Sequence, residues 1–184
     1  MRTSQLRYYW EQRDPRWSEN LAVVDCTPRK DLSARLTVAF SPPDDFSPRK
    51  VPEPSSAAVA AGIDPRRPGV GLIFGLAHPD CCEATGYAVL LLPDAVRLVR
   101  FTQNPPELKA NEIYAKKVLE EKKVDLGGQG PLRVSIKVTG AAIDVDAGGK
   151  AVRLRAPEDR NGYAGLYFGG HGFASVSDVS IAGP

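Results

Sequence analysis

The sequence contains few of the residues that build disulfide frameworks and metal sites. Among its 184 residues are three cysteines and two histidines. An odd number of cysteines cannot form a fully paired disulfide framework within one chain. His78 with the nearby Cys81 and Cys82 is an incomplete ligand set for a structural zinc. We therefore predict no metal site and no cofactor.

Blocks of one charge and long apolar runs are also missing. The 24 Lys and Arg residues nearly balance the 22 Asp and Glu residues, whereas a nucleic-acid-binding surface leaves a basic patch. The segment from Met1 to Glu11 lacks the apolar core of a signal peptide, and no stretch is long enough to span a membrane. If the chain is full length, we expect a cytoplasmic protein that binds neither nucleic acid nor membranes. A piece of a longer secreted protein would look the same.

Proline and glycine are abundant instead. Sixteen prolines and seventeen glycines leave little room for long helices. Residues 41–69 are rich in proline and predict a long surface excursion, in which Ala57–Ala61 could form one short helical turn. A chain of this length suits a single domain over residues 1–184.

Alternating apolar residues predict β-strands along most of the remaining chain. In residues 35–40, Leu36, Val38 and Phe40 share one face, and residues 132–138 alternate in the same way. Further strand patterns cover residues 69–77, 86–92, 95–101, 141–147, 151–156, 162–170 and 173–181. The spacing of these strands, about nine in all, is typical of an antiparallel sandwich or barrel. Residues 86–101 form a predicted hairpin, and residues 132–156 a three-strand meander.

One segment fits two structures. Between Glu107 and Val124, the spacing of Leu108, Ala115, Val118 and Leu119 allows a helix with Glu and Lys on its outer side. The stretch IYAKKVL within it also fits an irregular strand. The pattern does not decide between the two.

The order of these strands resembles a known superfamily. LRVSIKVTGAAIDVDAGGKAVRL, followed by GYAGLYFGGHGFASVSDVSI, is similar to the concanavalin A-like lectin and glucanase jelly rolls. Within that superfamily it is closest in pattern to the LamG-like and 3-keto-disaccharide-hydrolase-like domains. The resemblance covers roughly residues 34–181, apart from the Pro-rich excursion and the segment 107–124. It implies an all-β, antiparallel jelly-roll β-sandwich, a fold that carries lectins, glycosidases, adhesion modules and structural domains alike.

No complete catalytic motif is visible. Retaining glycosidases of this fold need two carboxylates across a groove, commonly from Glu-x-Asp-x-x-Glu on one strand, and that motif is absent. Asp144 and Asp146 share a strand face, but a face that meets water is expected to be polar anyway. There is no Gly-x-Ser-x-Gly elbow to accompany His171. We predict no catalytic residues.

Two tyrosines form the best candidate sugar-binding surface. Tyr163 and Tyr167 lie four positions apart on one predicted strand, hence on one face, and Gly165 between them leaves the surface open. Aromatic faces can stack on sugar rings. Tyrosines beside a small residue also often pack against a loop, and this alternative stays open.

Other polar side chains could join this surface if their strands are neighbours. They are Tyr87, Arg97 or Arg100, and His171 in its glycine-rich turn. Charged and ring-nitrogen groups of this kind hydrogen-bond sugar hydroxyls. Our predicted binding residues are therefore Tyr163, Tyr167, His171, Tyr87 and Arg100.

The N-terminal segment is rich in aromatic and basic residues. Residues 7–17 carry side chains that dominate protein interfaces, although Trp17–Val24 also fits the first strands of the sandwich. We predict a non-catalytic recognition module that binds a glycan or a partner protein. The alternative is a hydrolase acting on a glycan or a modified disaccharide. The sequence leaves the oligomeric state open.

Overall fold

A computed structural model describes the backbone of residues 7–14, 17–40, 69–77, 85–103, 114–127, 130–169 and 174–183. Side chains are described over residues 27–40, 69–77, 85–100, 117–127, 130–168 and 174–183. These ranges form twelve strands and no helix. The strands are β1 Arg7–Asp14, β2 Trp17–Arg29, β3 Leu32–Phe40, β4 Gly69–Leu76, β5 Thr85–Leu92, β6 Ala95–Gln103, β7 Tyr114–Lys123, β8 Leu132–Thr139, β9 Ala142–Ala147, β10 Lys150–Arg155, β11 Gly162–Gly169 and β12 Ala174–Ala182.

The strands form two antiparallel sheets. The larger has seven strands in the order β1-β2-β11-β4-β5-β6-β7, and the smaller has five in the order β10-β9-β8-β3-β12. Strands close in space are often distant in sequence: β11 lies between β2 and β4, and β3 between β8 and β12. The jelly-roll β-sandwich implied by the resemblance is confirmed.

The core lies between the two sheets and follows from the alternation of each strand. Leu36 and Val38 of β3 are 3% and 0% exposed, and Val134, Ile136 and Val138 of β8 are similarly buried. They pack in one cluster with residues of the seven-stranded sheet such as Leu72, Phe74, Val89 and Leu91. The predicted inward faces of residues 35–40 and 132–138 are therefore confirmed.

A second apolar cluster lies on the other face of the seven-stranded sheet. Its members alternate along the strands with residues of the main core, so that β5 is buried on both faces, as its apolar sequence indicates. The members are Ile73, Leu76, Ala88, Leu90, Leu92, Val99 and Tyr167, with Val118 and Tyr163 packed against them. We call this buried layer the outer apolar face.

The segment that fitted two structures is a strand where it is described. Residues 114–123 form β7 at the edge of the seven-stranded sheet and pair with β6, so a helix there is wrong. Pairing with β6 provides an apolar contact for Val118 and an ion pair for Glu121, which an isolated short helix lacks. Lysines along an edge strand also discourage pairing with another chain.

Of the other predictions, some are confirmed and some concern segments outside the described residues. The hairpin β5–β6 and the meander β8–β9–β10 are confirmed, and Trp17–Val24 pairs in the sheet as part of β2. The strand number exceeds the predicted nine or so. His78, Cys81, Cys82 and nearly all of the Pro-rich excursion lie outside the described residues. Within the described ranges no helix is long and apolar enough to cross a membrane.

Candidate functional site

The structure separates the two predicted tyrosines by their exposure. Tyr163 and Tyr167 both lie on the outer apolar face, so the predicted sharing of one face is right. Tyr167, however, is 1% exposed, because it belongs to the second apolar cluster. Its ring offers no face to a sugar, and the open platform predicted around Gly165 is wrong for this residue. Tyr163 is half-buried against the same cluster.

Tyr87 and Arg100 do not join the tyrosines. They are register partners on β5 and β6, and β4 separates β5 from β11. The Tyr87 side chain belongs to the core between the sheets, on the opposite side of the sheet from Tyr163. The predicted grouping of Tyr87 and Arg100 with the two tyrosines of β11 is therefore wrong. The sequence does not determine which strands are neighbours or which face of the sheet each side chain is on. His171 lies outside the described residues.

Tyr87 instead contributes to a cleft at one end of the sandwich. Its hydroxyl donates a hydrogen bond of 2.5 Å to Oδ1 of Asp159, in the loop between β10 and β11. Burial, and then this carboxylate, raise the pKa of Tyr87 to about 12. The hydroxyl in turn lowers the pKa of Asp159. The cleft has a volume of about 430 Å³ and is lined by Tyr87, Leu98, Arg100, Leu119, Glu120 and residues 155–158.

Two carboxylates, Glu120 in the lining of this cleft and Asp159 beside it, are stabilised in their charged form. Glu120 accepts a hydrogen bond of 2.8 Å from the backbone N–H of Arg155, which lowers the pKa of Glu120. Asp159 is likewise stabilised as the anion by Tyr87. A general acid needs a raised pKa, so neither carboxylate is suited to protonate a glycosidic oxygen.

The two aspartates on β9 point outward, as predicted. Asp144 pairs with Arg153 through contacts of 2.6 and 3.0 Å, and the guanidinium lowers the pKa of Asp144. Oδ1 of Asp146 accepts a hydrogen bond of 3.0 Å from the backbone N–H of Gly149 and thereby fastens the β9–β10 turn. Both carboxylates therefore have structural partners.

The outer face of the five-stranded sheet is polar, in contrast to that of the larger sheet. At its centre, β3 lies between β8 and β12. Arg35 of β3 faces outward, with Ser135 of β8 opposite it on one side and Ser180 of β12 on the other. Because serine side chains are short, the longer Arg35 side chain is flanked by a shallow depression on each side.

The neighbouring rows of this face are also polar. On one side of the Arg35 row, Ser33 lies between Lys137 and Ala182. On the other side, Thr37 lies between Arg133 and Ser177. Residues two apart on a strand are separated by about 7 Å, so three rows present cations and hydroxyls over a stretch of roughly 14 Å.

Three adjoining depressions run along β3 on this face, and we call them together the polar groove. The largest has a volume of about 580 Å³, and the others about 570 and 440 Å³. The largest is lined by Leu32, Ser33, Ala34, Arg35, Ser135, Lys137, Thr139, Ser180, Ala182 and Gly183. This lining has two cations and four hydroxyl groups and contains no carboxylate.

Asp178 marks the other end of the groove. It lines both smaller depressions and has φ of 52°, in the left-handed region, at a β-bulge between Ser177 and Ser180. Aspartate tolerates this conformation better than most residues. Its Oδ2 accepts a hydrogen bond of 3.1 Å from the Ser177 hydroxyl. The bulge thus places one carboxylate at the end of the groove away from Lys137.

Sequence reasoning missed this groove. The alternation correctly placed Arg133, Ser135 and Lys137 outward, but it did not bring β3 and β12 beside them. The serine-rich pattern of β12, SVSDVS, was the available signal for a polar face. Among the described residues, no three His, Cys, Asp or Glu side chains are grouped so that they could hold a metal ion.

Comparisons with known proteins show the fold. No protein-family model matches the sequence, and none of the curated proteins matches it. Among solved structures, the carbohydrate-binding module CBM66 of Bacillus subtilis is similar, with a TM-score of 0.54 at 11% identity over 95% of this chain and 91% of the module. Sheep galectin-11 in complex with glycerol has a TM-score of 0.48 at 6% identity, over 91% of this chain and 98% of the galectin. Bacillus licheniformis β-glucanase has a TM-score of 0.38 at 12% identity, over 84% and 59% of the two chains.

The chain thus has the concanavalin A-like jelly-roll fold that its sequence resembled. A shared fold does not by itself determine what a protein binds or whether it is an enzyme.

Proposed function

We propose that this protein is a non-catalytic glycan-binding module whose ligand lies in the polar groove. The observation that carries the proposal is the lining of the largest depression, where Arg35 and Lys137 stand among hydroxyl groups. Sugar hydroxyls are bound by side chains that can both donate and accept hydrogen bonds, as serine and threonine can, and by charged donors. A groove open along its length also suits a chain of sugars.

The similar fold of CBM66, a carbohydrate-binding module by name, supports the proposal at the level of architecture. The outer apolar face is less suitable, since its central aromatic ring, Tyr167, is 1% exposed. A sugar stacks on an aromatic face only where that face is accessible.

The chemistry of the described carboxylates favours binding over hydrolysis. Asp144 is paired with Arg153, and Asp159 with Tyr87, and the pKa of each aspartate is lowered. Hydrolysis by a carboxylate pair needs one of the two to be protonated at the working pH. We therefore place recognition before the alternative of a glycan hydrolase.

The test is a glycan-array screen of the protein followed by calorimetry on the glycans that bind. Ser135→Tyr fills the groove beside Arg35, and Ala151→Tyr places the same ring on β10 of the same sheet, outside the groove lining. Both positions are exposed, so the two variants are matched for burial and strand propensity. We expect Ser135→Tyr to abolish binding and Ala151→Tyr to retain it.

Three results would overturn the proposal. Failure to bind any glycan would remove the function itself. Binding that survives Ser135→Tyr, or that is lost equally in Ala151→Tyr, would remove the polar groove as its location. Release of reducing ends from a bound glycan would make the protein a hydrolase.

A further inference from the structure

We infer that the glycan bound in the polar groove is acidic, and that Arg35 and Lys137 together bind its carboxylate or sulfate groups. The inference rests on the proposed function and names the chemical class of its ligand. Arg35 is the central residue: its register partners on both sides are serines, Ser135 and Ser180. No carboxylate stands opposite it on either neighbouring strand.

The two cations lie close enough to share one anionic group. Lys137 is two residues from Ser135, which faces Arg35, so Arg35 and Lys137 are diagonal neighbours. Diagonal positions in an antiparallel pair are about 7–8 Å apart at Cα, and both side chains are long. Two like charges at this distance repel each other. A bound anion removes that repulsion, whereas a neutral sugar leaves it in place.

Unlike three other arginines among the described residues, Arg35 has no acidic partner. Arg153 pairs with Asp144, Arg97 with Glu121, and Arg160 with Asp31. Arg35 forms no ion pair with any described carboxylate, and neither does Arg133 in the next row. A guanidinium that is not neutralised within the protein can bind a carboxylate or sulfate through two parallel hydrogen bonds.

The acidic residues of this face indicate where the anionic group lies. Asp146 lines only the middle depression, which Arg35 also lines, and Asp178 lines the two smaller ones. Asp144 lies opposite Lys137 on β9. It is hydrogen-bonded to Arg153, which is the main cause of its lowered pKa, and the charge of Lys137 is a smaller cause. The largest depression has no carboxylate in its lining. An acidic sugar therefore fits at the Arg35–Lys137 end, with its neighbours along the groove towards Asp178.

Pairs of ligands that differ only in charge test this inference. Calorimetry compares oligogalacturonate with its methyl ester, and sulfated dextran oligosaccharides with unsulfated dextran. We expect at least one charged ligand to bind, and its neutral counterpart to bind at least about tenfold more weakly, because hydrogen bonds to charged groups are stronger than those to neutral groups. Binding should weaken as salt concentration rises. Which acid binds then identifies the source of the anionic group.

Variants locate the effect. Arg35→Gln should weaken binding of the charged ligand at least about tenfold, and Arg35→Lys should restore part of it, since lysine keeps the charge without the planar fork. The matched control is Arg155→Gln, an exposed arginine on β10 of the same sheet that lines none of the three depressions of the polar groove. It should bind like the unmodified protein.

The outcomes separate this inference from the proposed function. Equal binding of the neutral and charged ligands, still blocked by Ser135→Tyr, would overturn the acidic ligand and leave the glycan-binding module standing. No binding of any glycan would overturn both. Equal loss in Arg35→Gln and Arg155→Gln would overturn the role of Arg35. Equally tight binding of polyglutamate would show that the groove takes any polyanion and would overturn the assignment to a glycan.

Discussion

The hydroxyl of Tyr87 donates a hydrogen bond of 2.5 Å to the carboxylate of Asp159. The contact joins the middle of the seven-stranded sheet to the loop that connects β10 of the smaller sheet with β11 of the larger. Tyr87 is 6% exposed and packs against Phe74, with ring centroids 5.8 Å apart. One buried side chain thus links the core, through its ring, to the crossing between the two sheets, through its hydroxyl.

The first prediction concerns the ionisation of Tyr87. In a spectrophotometric titration of the tyrosines, one group should ionise last, near its raised pKa of about 12. Asp159→Asn should lower that pKa without bringing it to the ordinary value, because burial is the larger cause. The late group should be missing from Tyr87→Phe. If Tyr87→Phe keeps it, the hydrogen-bonded tyrosine is not the perturbed one.

The same pair makes stability depend on pH in a defined direction. The pKa of Asp159 is lowered in the folded state, so its contribution to the free energy of unfolding is present above the ordinary value of 3.8 and lost as pH falls through the lowered pKa. The contribution of Tyr87, whose pKa is raised, is complete below 10 and lost as pH rises through about 12. Urea unfolding should therefore show the largest difference between the unmodified protein and Tyr87→Phe between these limits.

The second prediction concerns Arg160, which is 3% exposed. Its guanidinium donates to the carbonyl oxygens of Lys30 and Pro157 at 2.9 and 2.7 Å, and to Asp31 at 2.7 Å. Arg160→Met leaves these acceptors without a partner and should lower the free energy of unfolding by about 3 kcal/mol. Arg153→Met, which removes an exposed ion pair, should change it little. Similar losses in the two variants would show that the three hydrogen bonds of Arg160 do not stabilise the fold more than an exposed ion pair does.

The third prediction concerns the close approach of β4 and β5. A Cβ atom on Gly71 would overlap the backbone carbonyl oxygen of Val89. Backbone atoms in the middle of a sheet cannot move aside, so Gly71→Ala should destabilise the fold strongly. At Gly127 the nearest atoms lie 3.4 Å from an added Cβ, an ordinary contact. Thermal unfolding should show a large decrease in Tm for Gly71→Ala and a small change for Gly127→Ala.

The fourth prediction tests whether the ligand binds at the outer apolar face or in the polar groove. Tyr167→Ala should cost about 4 kcal/mol of stability, since it removes a fully buried aromatic ring. Tyr163→Ala removes a half-buried ring, should cost less, and should leave glycan binding unchanged. Calorimetry on folded Tyr163→Ala checks this. Loss of binding in that variant would return the ligand to the outer apolar face.

The fifth prediction uses the carboxylate at the end of the groove. Asp178→Asn removes a negative charge near Arg133 and keeps a residue that tolerates φ of 52°. Binding of an acidic glycan should tighten a few-fold, because a repulsive charge is gone. Binding of a neutral glycan should not change. Weaker binding of the acidic glycan would mean that Asp178 accepts hydrogen bonds from the sugar.

The positions of most strands could be predicted from the sequence, but which strands lie next to each other in a sheet could not. The alternation of residues 132–138 predicted which side chains are buried, because a strand with one face in the core has period two. The short turn at Pro93–Asp94 predicted the hairpin in which Tyr87 meets Arg100. These are local relationships, and local patterns are enough for them.

The candidate site depended on contacts that no local pattern shows. Arg35 meets Ser135 and Ser180 only after β3 has been inserted between β8 and β12. Likewise, periodicity put Tyr163 and Tyr167 on one face but could not tell that Tyr167 is buried there. Helix and strand were indistinguishable over residues 114–123, where pairing with β6 determines the outcome.

The insertion of β3 between β8 and β12 also determines when the polar groove can form during folding. The groove needs strands from the first quarter, the last third and the end of the chain, so its contacts are among the most non-local in the molecule. Proteins dominated by such contacts fold slowly, over milliseconds to seconds. During synthesis, the polar groove cannot form before β12 has left the ribosome. If the groove binds the proposed ligand, binding reports that folding is complete. When refolding is monitored by ligand binding, the signal should appear later than a signal from the local β5–β6 hairpin.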